Sequence, residues 1–315
     1  MANYYLGVDM GGTLIKIAIV DNKANIIEED FIDTDITAKP KDVIKNITEV
    51  FKKFKNYSKV NSIGFGIAGD INFKDGIVRY SPNIPKWNKV PLKKEIEQIT
   101  NKPVFIDNDA NTAAIGAYWL DIKATVDNMI CVTLGTGVGG GIIINKKLFR
   151  GNNGTAGEIG HITIEPNGRK CNCGNNGCAE TYIGAKHIVK ETVDLLNSSN
   201  KSKYILNLAN NNIKQITPKI LAQAAKKGDF IAKQVWNNVG KKLGILLADV
   251  INFFNPDAIV LCGGISNAGN LIITPAKEEI KKRAFKTSAK SCKIVVSKYT
   301  SKLGVVGAAM LVKSL

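Results

Sequence analysis

Between Gly160 and Glu180 the chain reads GHITIEPNGRKCNCGNNGCAE, and one histidine and three cysteines stand there in the spacing H-x9-C-x-C-x4-C. The whole chain holds six cysteines and two histidines, so half of its cysteines gather in this stretch. Three thiolates and an imidazole make a complete tetrahedral zinc set, and a closed set with no open position predicts a structural ion. The ligands would be His161, Cys171, Cys173 and Cys178. The glycine and asparagine between them suit a loop that wraps an ion. The alternatives are chance clustering and a disulfide, which a reducing compartment disfavours. Cys131, Cys262 and Cys292 lie in apolar, strand-like surroundings and read as core residues. Glu158 and Glu180 flank the cluster, so an ion would anchor both, and the second ring nitrogen of His161 would be left to meet a ligand or a carboxylate.

Two glycine turns offer a second kind of chemistry. GVDMGGTLIK sets Asp9, Gly11, Gly12 and Thr13 between two apolar runs. Glycines allow close backbone approach, and successive N–H groups can form an anion-binding nest. The Thr13 hydroxyl adds a donor, and Asp9 at the strand end can position a hydrated Mg2+. This is not the Walker pattern, which needs Gly-Lys-Ser/Thr leading into a helix; Lys16 falls inside the following strand. An ordinary hairpin with an exposed turn explains these residues equally well. The second turn, GTGVGG from Gly135 to Gly140, satisfies G-x-G-x-x-G. A β-branched run, GGIIINKKLF, follows it where a dinucleotide site needs a helix. It therefore reads as a second phosphate-cradling hairpin around Gly135, Thr136 and Gly137, and NAD is not expected. Two such hairpins would hold the β- and γ-phosphates of ATP.

A third group is IDNDAN, with Asp107, Asn108, Asp109 and Asn111. It ends a strand, where open α/β sheets bind ligands. Asp109 could be merely the N-cap of the next helix. The pairing of Asn108 with Asp109 also suits the vicinal hydroxyls of a carbohydrate.

The elements that must position these groups alternate between strand and helix, which predicts an α/β architecture. YYLGVDM and LIKIAIVD read as a hairpin, VNSIGFGIAG as a buried strand, and PVFIDND as a strand entering the helix ANTAAIGAYWL. NMICVTLG and GGIIINKKLF read as two strands joined by glycines. From Ile231 to Phe254 apolar residues recur at three- and four-residue spacing, which predicts a long core-facing helix that ends near Pro256 and feeds the strand AIVLCGG. The two glycine hairpins hint at two related half-structures. With 315 residues, 44% hydrophobic and 22% charged, the chain suits one large domain or two ordinary ones. No run nears the roughly 18 apolar residues of a membrane helix, and no leader is evident, so a cytoplasmic protein is expected. The net charge of +16 invites a nucleic-acid reading, but the lysines are scattered and little aromatic interleaving accompanies them; no nucleic-acid partner and no membrane are expected. A basic surface would still draw in an anionic nucleotide.

Taken together, the motifs resemble the ROK family of repressors, open reading frames and sugar kinases, over essentially the whole chain. DMGGTLIK resembles its first phosphate motif, SPNIPKW its sugar-binding loop, DNDAN its catalytic segment and LGTGVGGG its second phosphate motif. AGEIGH with CNCGNNGCAE resembles its zinc signature, the most specific of the set, and IVLCGGIS its adenosine-side turn. The resemblance, closest to the bacterial glucokinases of the family, implies an actin-like, hexokinase-type (ribonuclease H-like) α/β fold. Two domains, 1–115 with 300–315 and 116–299, would close over a cleft. It implies phosphorylation of a hexose, glucose first, with ATP, Mg2+ and a structural Zn2+, by a homo-oligomer (dimer or tetramer). Asp109 would be the general base for the sugar 6-hydroxyl. Asn83, Asn108, Glu158, His161 and Glu180 would bind sugar hydroxyls. Asp9, Gly11, Gly12, Thr13, Lys16, Gly135, Thr136 and Gly137 would serve the phosphates, and Gly263 and Gly264 would back the nucleotide. The loop GIAGDI carries Ala-Gly-Asp where many members have a proline, which bears on hexose preference. An N-acetylhexosamine kinase, for N-acetylglucosamine or N-acetylmannosamine, is the alternative within the family. A sugar-responsive repressor would need a helix-turn-helix segment ahead of Asp9.

Overall fold

The computed structural model describes residues 3–198 and 203–314. The chain divides into two compact units. The first comprises Met1–Cys131, Gly141–Gly157 and Lys298–Leu315, and the second Val132–Gly140 and Glu158–Ser297.

In the first unit the elements are β1 (Tyr4–Met10), β2 (Leu14–Asp21), β3 (Ile26–Asp33), α1 (Pro40–Lys53), β4 (Val60–Ile67), β5 (Asp70–Asn72), β6 (Ile77–Tyr80), β7 (Asn88–Val90), α2 (Leu92–Thr100), β8 (Val104–Asn108) and α3 (Asp109–Leu120). Next come β9 (Met129–Leu134), β10 (Val138–Ile144) and β11 (Lys147–Phe149), with the unit boundaries falling inside β9 and β10. The second unit adds α4 (Glu180–Ile183), α5 (Ala185–Ser198), α6 (Lys203–Leu208), α7 (Pro218–Lys226), α8 (Phe230–Phe254), β12 (Ala258–Cys262), α9 (Asn270–Arg283), α10 (Lys286–Ser291) and β13 (Lys293–Val296). The chain then returns to the first unit with α11 (Leu303–Ala309).

The first sheet runs β3-β2-β1-β4-β8 and the second β11-β10-β9-β12-β13. Numbered from its own first strand, each sheet has the same order, 3-2-1-4-5, so the hint of two related halves is a real duplication of topology. In the first sheet β1 pairs antiparallel with β2 and parallel with β4, and β4 pairs parallel with β8. β4 is buried along nearly its whole length, as an interior parallel strand must be. One side of this sheet is covered by α1, through Val43, Ile44, Ile47 and Phe51, against Leu6, Val8, Ile63 and Phe65. α11 packs so tightly on α3 that a Cβ on Gly307 would sit 1.7 Å from the Thr112 carbonyl oxygen; only a residue without Cβ allows that approach, and it fixes the helix on which Asp109 stands.

Most expected elements form. The long helix is α8, whose Val235, Val239, Leu243, Leu246 and Val250 are buried. Asp229 caps its start, and Asn255 closes it in the left-handed conformation before Pro256. GGIIINKKLF, read as one strand, is two: Asn145 and Lys146 turn with φ 51° and 67°, and β10 folds back antiparallel on β11. Asn145 takes the left-handed region readily, and Lys146 is held in it by the antiparallel pairing on either side of the turn. Cys292 lies half-buried just after α10 and not in a strand. Among the described residues no helix is long and apolar enough to cross a membrane.

Candidate functional site

In the first unit the functional side chains sit where the sheet strands end. The turn between β1 and β2 holds Gly11, Gly12 and Thr13, with the Gly11 N–H donating to the Leu14 carbonyl at 3.1 Å. Asp9 lies opposite Lys16 in the β1–β2 register, and Lys16 Nζ donates to the Ser301 carbonyl at 2.8 Å. Burial pushes the Asp9 carboxyl up to about 6; the Lys16 charge works against that and the Asp109 charge adds to it. A half-buried carboxylate of this kind suits a bound cation.

The segment SPNIPKW links β6 to β7. Ile84 and Trp87 are fully buried and anchor it, while Asn83 is left exposed. Asn83 lies against the glycine turn, where a Cβ on Gly12 would stand 3.2 Å from the Asn83 Cβ. The SPNIPKW loop and the first glycine turn are therefore neighbours, a relation that no local sequence signal gives.

At the β8–α3 junction two carboxylates two residues apart are in opposite states. Asp107 is buried and fully engaged. Its Oδ2 accepts from Arg150 Nε at 2.7 Å, and its Oδ1 accepts from Asn111 Nδ2 at 2.7 Å and the Asn108 N–H at 2.8 Å. Asp109 reaches solvent and, among the described residues, has no ion-pair partner. Although the side chain reaches solvent, desolvation by the protein packed around its base raises its carboxyl above the ordinary value, opposed by the Ala110 N–H. The helix cap is Asn108 and not Asp109: Asn108 Oδ1 accepts from the Ala110 N–H at 2.8 Å, and Asn108 Nδ2 donates to the Gly69 carbonyl at 3.0 Å. The cap explanation for Asp109 is thereby removed, and Asn108 keeps only its remaining hydrogen-bond capacity for a ligand.

In the second unit His161, Cys171, Cys173 and Cys178 come together, their candidate ligand atoms all within 4.8 Å of one another. Cys173 Sγ and Cys178 Sγ are 3.6 Å apart, and Cys171 Sγ is 3.7 Å from His161 Nδ1. A tetrahedral Zn2+ with bonds of about 2.3 Å to sulfur and about 2.0 Å to nitrogen requires separations of roughly 3.5–3.8 Å, so the residues fit the ion. Burial, followed by the neighbouring sulfurs, pushes the Cys178 thiol up to about 12, while the Asn175 N–H leads in lowering Cys173. With Nδ1 turned to the sulfurs, His161 Nε2 points towards Glu158, 3.9 Å from its Oε2.

Glu180 opens α4, and its Oε2 accepts from the Val138 N–H at 3.0 Å. A Cβ on Gly137 would lie 2.3 Å from that oxygen, so the carboxylate rests directly on the second glycine turn. Gly135 has open space where a Cβ would be, as does Gly264. Gly263, at φ 92°, abuts the Leu134 carbonyl at the end of β9, which brings the IVLCGGIS turn beside LGTGVGGG. Elsewhere in this unit a cavity of about 810 Å3 is lined by Glu165, Arg169, Tyr182, Glu191 and Lys242, among others. Arg169 pairs with Glu191 and Lys242 with Glu165, so these charges are spent on one another.

The family model described as ROK family matches residues 5–315. The glucokinase of Thermotoga maritima is 33% identical over 311 residues, covering 98% of this chain and 96% of the relative. That of Halalkalibacterium halodurans is 35% identical over 316 residues, covering 98% and 95%. The crystal structure of a ROK family glucokinase from Streptomyces griseus, in complex with glucose and AMPPNP, matches at TM-score 0.82 and 33% identity over 98% of both chains. The actin-like, hexokinase-type fold is the one these similarities carry.

Proposed function

The chain belongs to the ROK family, and from that premise we propose that it is an ATP-dependent hexokinase that converts glucose to glucose 6-phosphate. Among the structural observations, the contrast at the β8–α3 junction carries this reading. Asp107 is neutralised by Arg150, while Asp109, which reaches solvent and among the described residues has no ion-pair partner, is free to take the proton of the 6-hydroxyl. Two carboxylates in such different surroundings divide structural from chemical work.

Phosphoryl transfer asks mainly for positioning and charge stabilisation. In this reading the N–H groups at Gly11, Gly12, Gly135 and Gly137, with the Thr13 and Thr136 hydroxyls, hold phosphate oxygens. Asp9 orients the water shell of Mg2+, whose role is to offset phosphate charge, and Gly263 and Gly264 back the nucleotide, Gly264 with open space where a Cβ would be. Asn83, Asn108, Glu158, His161 and Glu180 are assigned to sugar hydroxyls. The exposed placement of Asn83 and Glu158, and the carboxylate of Glu180 on the second glycine turn, support those assignments. Zn2+ held by His161, Cys171, Cys173 and Cys178 has no open position and serves the loop between Glu158 and Glu180 structurally. A set of three thiolates suits a reducing, cytoplasmic setting.

The test is a coupled ADP-release assay with MgATP over glucose, mannose, fructose, N-acetylglucosamine and N-acetylmannosamine. Turnover of glucose above the other sugars is expected. Turnover confined to the N-acetylated sugars would reassign the substrate, and no turnover with any of the five would overturn the reading.

A further inference from the structure

Arg150 belongs to none of the motifs above. It follows β11 and reaches Asp107, 43 residues away in sequence. Both side chains are buried, Arg150 at 10% and Asp107 at 3% exposure. The Arg150 guanidinium lies 4.8 Å from the centre of the Phe73 ring, in the turn between β5 and β6. A buried guanidinium that holds a carboxylate through Nε while stacked on a ring has its orientation fixed on two sides.

The carboxylate it holds is itself a fastener. Asp107 Oδ1 accepts from the Asn108 N–H and from Asn111 Nδ2, one bond on each side of Asp109. Asn108 then caps α3 and ties down the Gly69 carbonyl. The backbone of Asp109 is thus set between two residues whose bonds converge on Asp107, and Asp107 is set by Arg150. Through Phe73 the same guanidinium touches the β5–β6–β7 sheet, whose β6–β7 loop carries Asn83.

We propose that Arg150 is a positioning residue for phosphoryl transfer: through Asp107 it aims the Asp109 carboxylate, and through Phe73 it ties the Asn83 loop to the same frame. The proposal rests on the reading of Asp109 as the base. Catalytic geometry is unforgiving, since a displacement of about 1 Å can cost about 10²-fold in rate.

Arg150→Gln alone would leave the buried Asp107 charge uncompensated and endanger folding. The informative variant is therefore Asp107→Asn with Arg150→Gln, which removes both charges together. It should fold, as judged by its thermal transition, and lose about 10- to 100-fold in kcat, with the KM for ATP changed less than threefold. Arg150→Lys, which keeps the charge but neither the Nε contact nor the planar stack, should fall between this variant and the wild type. In an Asp109→Asn background the double change should cost nothing further, because residues that act as a unit are not additive. A folded double variant with kcat within twofold of wild type would overturn the proposal, and so would an undiminished loss in the Asp109→Asn background. Failure of the base assignment shows separately, as near-normal turnover by Asp109→Asn alone.

Discussion

Glu180 and Val138 are joined by a hydrogen bond of 3.0 Å, from the Val138 N–H to Glu180 Oε2, and Gly137 leaves the space through which the carboxylate reaches it. The carboxylate proposed for the sugar and the hairpin proposed for the phosphates therefore share one contact. Gly137→Ala would place a Cβ 2.3 Å from the carboxylate oxygen, and Glu180 must move. The expected result is a rise in the KM for glucose together with a fall in kcat, on a protein of near-normal stability. A variant with unchanged kinetics for both substrates would show that Glu180 has no such role.

Asp109→Asn keeps the side-chain size and leaves the Asn108 cap untouched, so it isolates the proton acceptor. General-base catalysis contributes about 10²- to 10⁴-fold, or about 3 to 5 kcal/mol at about 1.36 kcal/mol per decade, and kcat should fall in that range. Asp109 reaches solvent, so the change is expected to leave folding largely untouched. With the Asn108 cap in place, the melting temperature should stay near that of the wild type. Retention of more than about a tenth of wild-type kcat, short of the general-base range, would remove Asp109 from the mechanism.

The raised Asp109 carboxyl sets a pH dependence. A base works ionised, and a raised carboxyl takes up its proton at a higher pH than an ordinary aspartate. The acid limb of kcat/KM for glucose should therefore lie above the pH of a free aspartate, with activity lost as pH falls through the raised value and no corresponding loss on the alkaline side. Profiles between pH 4.5 and 8 would check this; a rate that stays flat down to the ordinary aspartate range contradicts it.

Purified protein should carry about one Zn2+ per chain, since three thiols and an imidazole, a full tetrahedral set for that ion, lie within 4.8 Å of one another. Cys173→Ala opens that set from its exposed side. Elemental analysis should then show the metal lost, and calorimetry should show weaker glucose binding, because His161 and Glu158 lose their common anchor. Metal-free wild-type protein that binds glucose normally would dismiss the ion as a support for the sugar site.

The fold was legible wherever a local pattern repeats. Apolar spacing marked α8, glycines between β-branched runs marked the two main hairpins, and the strand ending in IDND marked the junction to α3. What escaped reading depends on partners far along the chain or on a single pair of turn residues. The break between β10 and β11 rests on two left-handed residues inside an apolar run. The short strands β5, β6 and β7 carry too few residues to show alternation. Asn108 took the cap from Asp109 because both can cap, and only the backbone conformation decides. At the candidate site the clustering of His161, Cys171, Cys173 and Cys178 was readable from residue type and spacing alone. The roles of Asp107 and Arg150 were not, since an arginine that pairs across 43 residues leaves no local signature.

The return of the chain to its first unit bears on how the molecule is made. Lys16 and Ser301, bonded in the finished fold, are 285 residues apart, and α11 packs on β1, β4 and α3 just beyond that point. Contacts of such separation close late, after the loop between them has been laid down. During synthesis β1, β4 and α3 are made well before α11, so the face they offer to that helix is covered only at the end. Until α11 arrives, Gly7, Gly64 and Gly116 lack the backbone they press against, so the first unit is sealed only by residues made last among its contacts.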